Sequence, residues 1–234
     1  MQYLTGQSFD LRAIATAAHA AGARVGFDLA HALGNVGVAL HDANADFAVW
    51  CSYKYLNSGP GAVAGCFVHE RHVRAGLPRL AGWWGHDPAT RFAMGPEFVP
   101  APGADGWQLS NPPILALAPL RVSLDVFHRA RMERLRAKSI ALTAYLEQLI
   151  HARLARVLAI ATPTQPERRG CQLSLRVQGA REAGRSLFEH LARDGIVCDW
   201  REPDVIRVSP TPLYNRRTDC LKFASSVEAW SAAR

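Results

Sequence analysis

The sequence predicts an α/β protein with a second, smaller α+β part. Three observations predict it. Short apolar runs alternate with a helical pattern between residues 10 and 68. Chemically capable side chains fall at the ends of those runs, where ligands sit in open α/β sheets. The break at Pro112-Pro113 then leads into a long helical stretch and several short strands. This divides the 234 residues into domains 1–112 and 113–234, each long enough to bury a core.

Taken in order, Asp10 to Ala21 predicts a helix. Asp10 suits the N-cap, Leu11, Ile14, Ala15 and Ala18 share a face, and Gly22 suits the C-cap. Ala23 to Leu29, Ala45 to Cys51 and Ala62 to Val68 are short apolar runs of strand type. Leu77 to Leu109, rich in Gly, Pro and Trp, lacks periodicity and predicts a long functional loop region. Ile114 to about Arg156 is helical, as one helix or two, with its arginines on the solvated side. Pro163 and Pro166 mark a turn-rich connector. Gln172 to Val177 alternates as a strand does, and Ala180 to Asp194 forms a helix that Gly195 stops. Ile196 to Trp200 and Val205 to Val208 follow as short strands, and Lys222 sits in a segment that reads as a charged helix face.

Composition narrows the function classes. The chain is 49% hydrophobic and 20% charged, an ordinary globular balance. Its formal charge of +7 comes mostly from arginines scattered through helical segments. No basic run interleaves with aromatics, so nucleic acid is not an expected partner. Cys51, Cys66, Cys171, Cys198 and Cys220 are odd in number and form no CxxC pair, which predicts free thiols in a reducing cytoplasm. No apolar stretch is long enough to span a membrane, so no membrane partner is expected.

The residue that stands out is Lys54. Only Lys54, Lys138 and Lys222 are lysines among 27 basic residues. Lys54 follows the apolar run Phe47 to Cys51 and precedes Gly59-Pro60-Gly61. A lysine at the end of a buried strand is costly unless paired or used, and amine chemistry with a carbonyl compound or pyridoxal phosphate is one such use. Asp28 closes the preceding strand. It could hold a pyridine nitrogen protonated, and it fits a helix N-cap or an arginine ion pair equally well. His31 lies three residues on and could face the same site. Gly59-Pro60-Gly61 would let backbone approach a ligand, but matches neither standard nucleotide fingerprint. His69-Glu70-Arg71-His72 has HxxH spacing without the zinc-helix pattern, so no metal is expected.

Taken together the chain resembles kynureninase, a family of pyridoxal-phosphate enzymes of the fold-type-I, class-V aminotransferase-like superfamily. The matching stretches are Tyr3-Leu4-Thr5-Gly6-Gln7, Phe27-Asp28-Leu29-Ala30-His31, Cys51-Ser52-Tyr53-Lys54-Tyr55-Leu56-Asn57, Gly82-Trp83-Trp84-Gly85-His86, Ser110-Asn111-Pro112-Pro113 and Arg207-Val208-Ser209-Pro210-Thr211-Pro212-Leu213-Tyr214-Asn215. They occur in family order across nearly the whole chain. The resemblance implies a mixed, mostly parallel sheet in the large domain, with pyridoxal 5'-phosphate as cofactor. Lys54 matches the lysine that links to the cofactor aldehyde and Asp28 the carboxylate on its ring nitrogen. His31, Tyr53, Trp83 and Asn111 match further cofactor contacts, with Tyr53 near the phosphate and a proton carrier. Arg207 matches the clamp on the substrate α-carboxylate, while His86 and Ser110 fall on the substrate side.

The activity implied is hydrolysis of L-kynurenine or its 3-hydroxy form to the anthranilate and L-alanine, in tryptophan catabolism and NAD biosynthesis, by a cytoplasmic homodimer. The resemblance also implies a longer N-terminal portion bearing the phosphate loop and the ring-stacking aromatic, so the chain is expected to be the C-terminal portion. Another fold-type-I enzyme, such as a cysteine desulfurase or class-V aminotransferase relative, shares the Asp28, His31, Lys54 trio. An inactive truncated remnant is the other alternative.

Overall fold

The computed structural model describes every residue except Arg74 and Ala180. The chain folds as two compact units. One, the Lys54 unit, comprises residues 10–33 and 38–126; the other, the Arg207 unit, comprises residues 1–9, 34–37 and 127–234.

The Lys54 unit opens with helix α1, Leu11–Ala20, whose first turn is closed by the Asp10 carboxylate accepting from the Ala13 N–H at 3.0 Å. Such a cap is worth about 1 kcal/mol. Gly22, at φ +75°, takes the left-handed conformation just past the helix end. Of the expected apolar face only Ala15 is buried, and Ile14 stays 40% exposed. Strands β1 (Gly26–Asp28), β2 (Phe47–Cys51) and β3 (Ala64–Val68) form a three-stranded sheet in that order, β1 parallel to β2 and β2 antiparallel to β3. β2 is buried at Ala48 but leaves Phe47 and Val49 about half exposed, so the strand leading to Lys54 is not the buried one its apolarity predicts.

Residues 77–109 lack regular strands and helices, as expected, apart from two 3-10 turns, Arg91–Ala93 and Gly103–Trp107. Helix α2, Ile114–Ala130, follows the two prolines, and α3 spans Met132–Arg153. The break between them is Arg131, at φ +66°, not the proline at 119, which stays inside α2. Along the chain the two units divide within α2, between Val126 and Phe127.

The Arg207 unit is a four-stranded antiparallel sheet with α3, α4 (Arg181–Arg193) and α5 (Arg217–Ala232). Its strand order is β4-β5-β7-β6, where β4 is Leu158–Ile160, β5 Leu173–Val177, β6 Asp199–Arg201 and β7 Val205–Val208. The core joins Leu146 and Ile150 of α3, Leu173 and Leu175 of β5, Leu187 and Leu191 of α4, Ile206 of β7 and Val227 of α5. β4 was not expected; three residues are too few to show a period. The first residues of the chain are tied into this unit: the Ser8 N–H donates to Arg168 O at 2.7 Å and Gln172 Nε2 to Tyr3 O at 3.1 Å. All five cysteines are free thiols. No helix among the described residues is long and apolar enough to cross a membrane.

Candidate active site

In the Lys54 unit the parallel pairing of β1 and β2 puts the carboxyl ends of both strands at one edge of the sheet. Asp28 is the last residue of β1, in register with Val49 of β2, and the Leu29 N–H continues the pairing to Val49 O at 2.8 Å. Lys54 lies three residues beyond the end of β2. It is presented by a tight turn: the Ser58 N–H donates to Ser52 O at 3.2 Å and the Asn57 N–H to Lys54 O at 2.9 Å, with Asn57 at φ +55°. Ser52, Leu56 and Ser58 are buried and anchor the turn, while Tyr53, Lys54 and Tyr55 project from it. Two side-chain bonds brace it, Ser52 Oγ to Val63 O and Ser123 Oγ of α2 to Leu56 O.

The Lys54 ammonium is half-buried and lies 5.8 Å from the centre of the Tyr53 ring, with no ion-pair partner among the described residues. Asp28 is exposed, and its carboxylate accepts only from the nearby Ala30 N–H, at 2.8 Å. This is a local turn bond; among the described residues Asp28 makes none of the arginine pairs its pattern allowed. His31 meets Tyr55 edge-on, with ring centres 6.0 Å apart. Tyr53 is half exposed, and Cys51 beside it pushes its phenol above the ordinary value by charge repulsion and a hydrogen bond. Tyr53 therefore keeps its proton at neutral pH. An amine and a carboxylate with no counter-charge among the described residues, on the ends of two adjacent strands, with a phenol near the amine, fit the aldehyde, ring nitrogen and phosphate of pyridoxal phosphate.

The same unit brings the Trp83 loop against the segment that carries Ser110 and Asn111. A Cβ on Gly82 would collide with the backbone of Leu109, and one on Gly85 would lie 2.6 Å from Gln108 O. Glycine at both positions is what allows this approach. Trp83 is 40% exposed and meets Phe92 edge-on at 5.6 Å; His86 Nε2 lies 2.9 Å from Thr90 Oγ1, and its ring is 5.7 Å from that of Phe98. Trp83 and His86 line a cavity of about 310 Å³. Ser110 and Asn111 are exposed.

Arg207 belongs to the other unit. It is buried, and its guanidinium is engaged there: Nε donates to Asp199 Oδ2 at 2.6 Å, Nη2 pairs with the same oxygen, and Nη1 donates to Tyr3 O at 2.8 Å. Asp199 faces Arg207 across the β6–β7 ladder, so only strand register reveals this partner. The residues of the HxxH segment serve a structural end. Arg71 Nη2 and His72 Nε2 reach Asp46 Oδ1 at 2.7 and 2.6 Å, and the described residues contain no cluster able to hold a metal ion.

Comparison with solved structures gives the fold. The chain superposes over its full length on 58% of a cysteine desulfurase, CsdA, from Escherichia coli, with TM-score 0.80 and 18% identity. It covers 59% of a cysteine desulfurase from Thermococcus onnurineus NA1 with TM-score 0.83 and 14% identity. A C-DES mutant with glycine covalently linked to its PLP cofactor matches at TM-score 0.76 and 18% identity, over 97% of this chain and 58% of that one. The fold is that of the fold-type-I pyridoxal-phosphate enzymes.

Sequence comparison then gives the family. Residues 135–227 match the family model described as kynureninase C-terminal domain. The chain is 68% identical over 99% of its length to a kynureninase of Stenotrophomonas maltophilia, and 66% identical over 100% of its length to one of Xanthomonas oryzae pv. oryzae. Along its whole length the chain is similar to these kynureninases, and it spans 55% of their length.

Proposed function

We propose that this chain forms the C-terminal portion of a kynureninase that hydrolyses L-kynurenine, or its 3-hydroxy form, to the anthranilate and L-alanine with pyridoxal phosphate. The observation that carries the reading is the 68% identity to a kynureninase along essentially the whole chain. When bound, pyridoxal phosphate supplies an electron sink for the carbon beside the amine it holds. Lys54 would hold the group through Nζ, and the same amine, when free, would be the base for the substrate α-proton. Asp28 keeps the ring nitrogen protonated. His31, Tyr53, Trp83 and Asn111 are the further cofactor contacts, and the Tyr53 phenol is a proton donor. Arg207 offers a planar fork to the α-carboxylate once its engagement with Asp199 and Tyr3 O is exchanged or shared. His86 lines the aromatic end of the substrate, and Ser110 is a further substrate contact. In this reading residues 1–112 are the C-terminal part of the cofactor domain and 113–234 the small domain, in a cytoplasmic homodimer.

The test is covalent capture. The protein is incubated with pyridoxal phosphate, reduced with borohydride and mapped by mass spectrometry, beside Lys54→Ala. Label on Lys54, absent from the variant, together with anthranilate release from kynurenine and no sulfide from cysteine, is the expected result. Label spread over other lysines, or sulfide in place of anthranilate, sinks it.

A further inference from the structure

We infer that Arg91, a residue outside the proposed contact set, is the positioning residue that holds the Trp83–His86 loop in the shape a ligand meets. The inference rests on the proposed roles of Trp83 and His86.

Arg91 opens the 3-10 turn Arg91–Ala93 and is 9% exposed, an unusual place for a guanidinium. Its Nη2 donates to two carbonyls, Trp84 O at 2.8 Å and His86 O at 2.9 Å. Its cationic carbon lies 4.3 Å from the centre of the Trp84 ring. The turn is tied back to the loop by the Arg91 N–H, which donates to Asp87 O at 2.9 Å. Arg91 Nε is buried with no hydrogen-bond partner among the described residues.

The two carbonyls flank Gly85, the residue with the widest backbone freedom in the loop. One nitrogen bridging both fixes the peptide plane before Gly85 and the one after His86, which limits the freedom of the glycine between them. The direction in which Trp83 leaves on one side and His86 on the other follows from those planes. Arg91 also lines the same 310 Å³ cavity as Trp83 and His86, so its hold acts at the cavity wall itself. A lysine could not do the same, because a point ammonium lacks the flat face that stacks on Trp84. Burying a guanidinium with an unpartnered Nε is a costly way to stabilise a loop. The arrangement makes sense where loop geometry matters more than stability, since a displacement of about 1 Å in a binding group can cost on the order of 100-fold in rate.

The test uses the 234-residue chain and the variants Arg91→Gln and Arg91→Met, with Arg91→Lys as the conservative one. Hydrogen–deuterium exchange is read peptide by peptide without cofactor. The expected result is exchange at least tenfold faster in residues 82–87, with α1 and the β1–β3 sheet unchanged, and Arg91→Lys recovering only part of the protection. In the active protein the KM for kynurenine is expected to rise at least tenfold, with kcat changing less. Unchanged exchange at residues 82–87, or faster exchange throughout the unit, overturns the inference. Local loosening with an unaltered KM also overturns it, by showing that the loop does not meet substrate. If the parent protein turns over no kynurenine, the proposed function falls, while the exchange pattern still decides whether Arg91 holds the loop.

Discussion

Among the described residues Asp28 and Lys54 are each left with one weak local contact, which suits the cofactor roles proposed for them. A structural carboxylate at a strand end would have been paired with one of the chain's many arginines. Asp28 has only the Ala30 N–H. Asp28→Asn keeps that acceptor and removes the charge. The variant is therefore expected to fold as the parent does and to retain borohydride-fixed label on Lys54. Its turnover of kynurenine should fall by at least 100-fold, the order expected when a charge aimed at the reacting system is lost. Unchanged turnover in Asp28→Asn would remove this residue from the site. Both residues stand out in the sequence because polar chemistry at strand ends contrasts with the apolar runs before it. Asp199 was not. Its meaning depends on the register of β6 against β7, which no local pattern encodes.

At the scale of elements, Asp46 is the joint that holds α1 and the turn after β3 to the start of β2. Its buried carboxylate accepts from the Val25 N–H at 2.7 Å, meets His19 Nε2 at 2.9 Å, and receives Arg71 Nη2 and His72 Nε2. Burial alone pushes the acid up. The surrounding donors, His19, the Val25 N–H, His72 and Arg71, outweigh it and hold the carboxyl well below the usual range. The folded pKa is depressed, so the stability it contributes is fully present above the unfolded carboxylate value of about 4. It is lost progressively as pH falls below that. The protection of α1 amides relative to their intrinsic exchange rates should therefore fall below about pH 4, and Asp46→Asn should show that lower protection already at pH 7 and lose the acid dependence. A pH-independent α1 in the parent would refute this. The sequence placed α1 and the strands within a few residues because their caps and apolar runs are local. It presented His72 as half of an HxxH motif, since only folding shows that the side chain turns to an aspartate 26 positions away.

Over the whole molecule, the first residues belong with the last. Tyr3 O accepts from Arg207 and Gln172, Leu4 O from Ser174 Oγ, and Ser8 bonds to Arg168 O. Removing residues 1–8 would take one acceptor each from a buried guanidinium, the Gln172 amide and the Ser174 hydroxyl, each loss costing about 1–3 kcal/mol where no other acceptor replaces it. The truncated chain is expected to lose protection in β5 and β7, read by hydrogen exchange, while β1 and β2 stay as they are. Equal protection in both sheets would show that the N-terminal segment is passive.

What the sequence determined by itself is the class of the fold, the order of its elements apart from β4, and the place of Lys54 just past the end of β2. These rest on capping, apolar periodicity and glycine or proline at breaks, all of which act between near neighbours in the chain. Only the tertiary structure decided that Asp199 faces Arg207, that Asp46 gathers His19, Arg71 and His72, that the Trp83 loop lies on Leu109, and that Arg91 grips the carbonyls around Gly85. Each depends on strand register or on a long side chain reaching backbone that only folding brings close, and a hydrogen-bond donor in the sequence carries no mark of which acceptor it will meet.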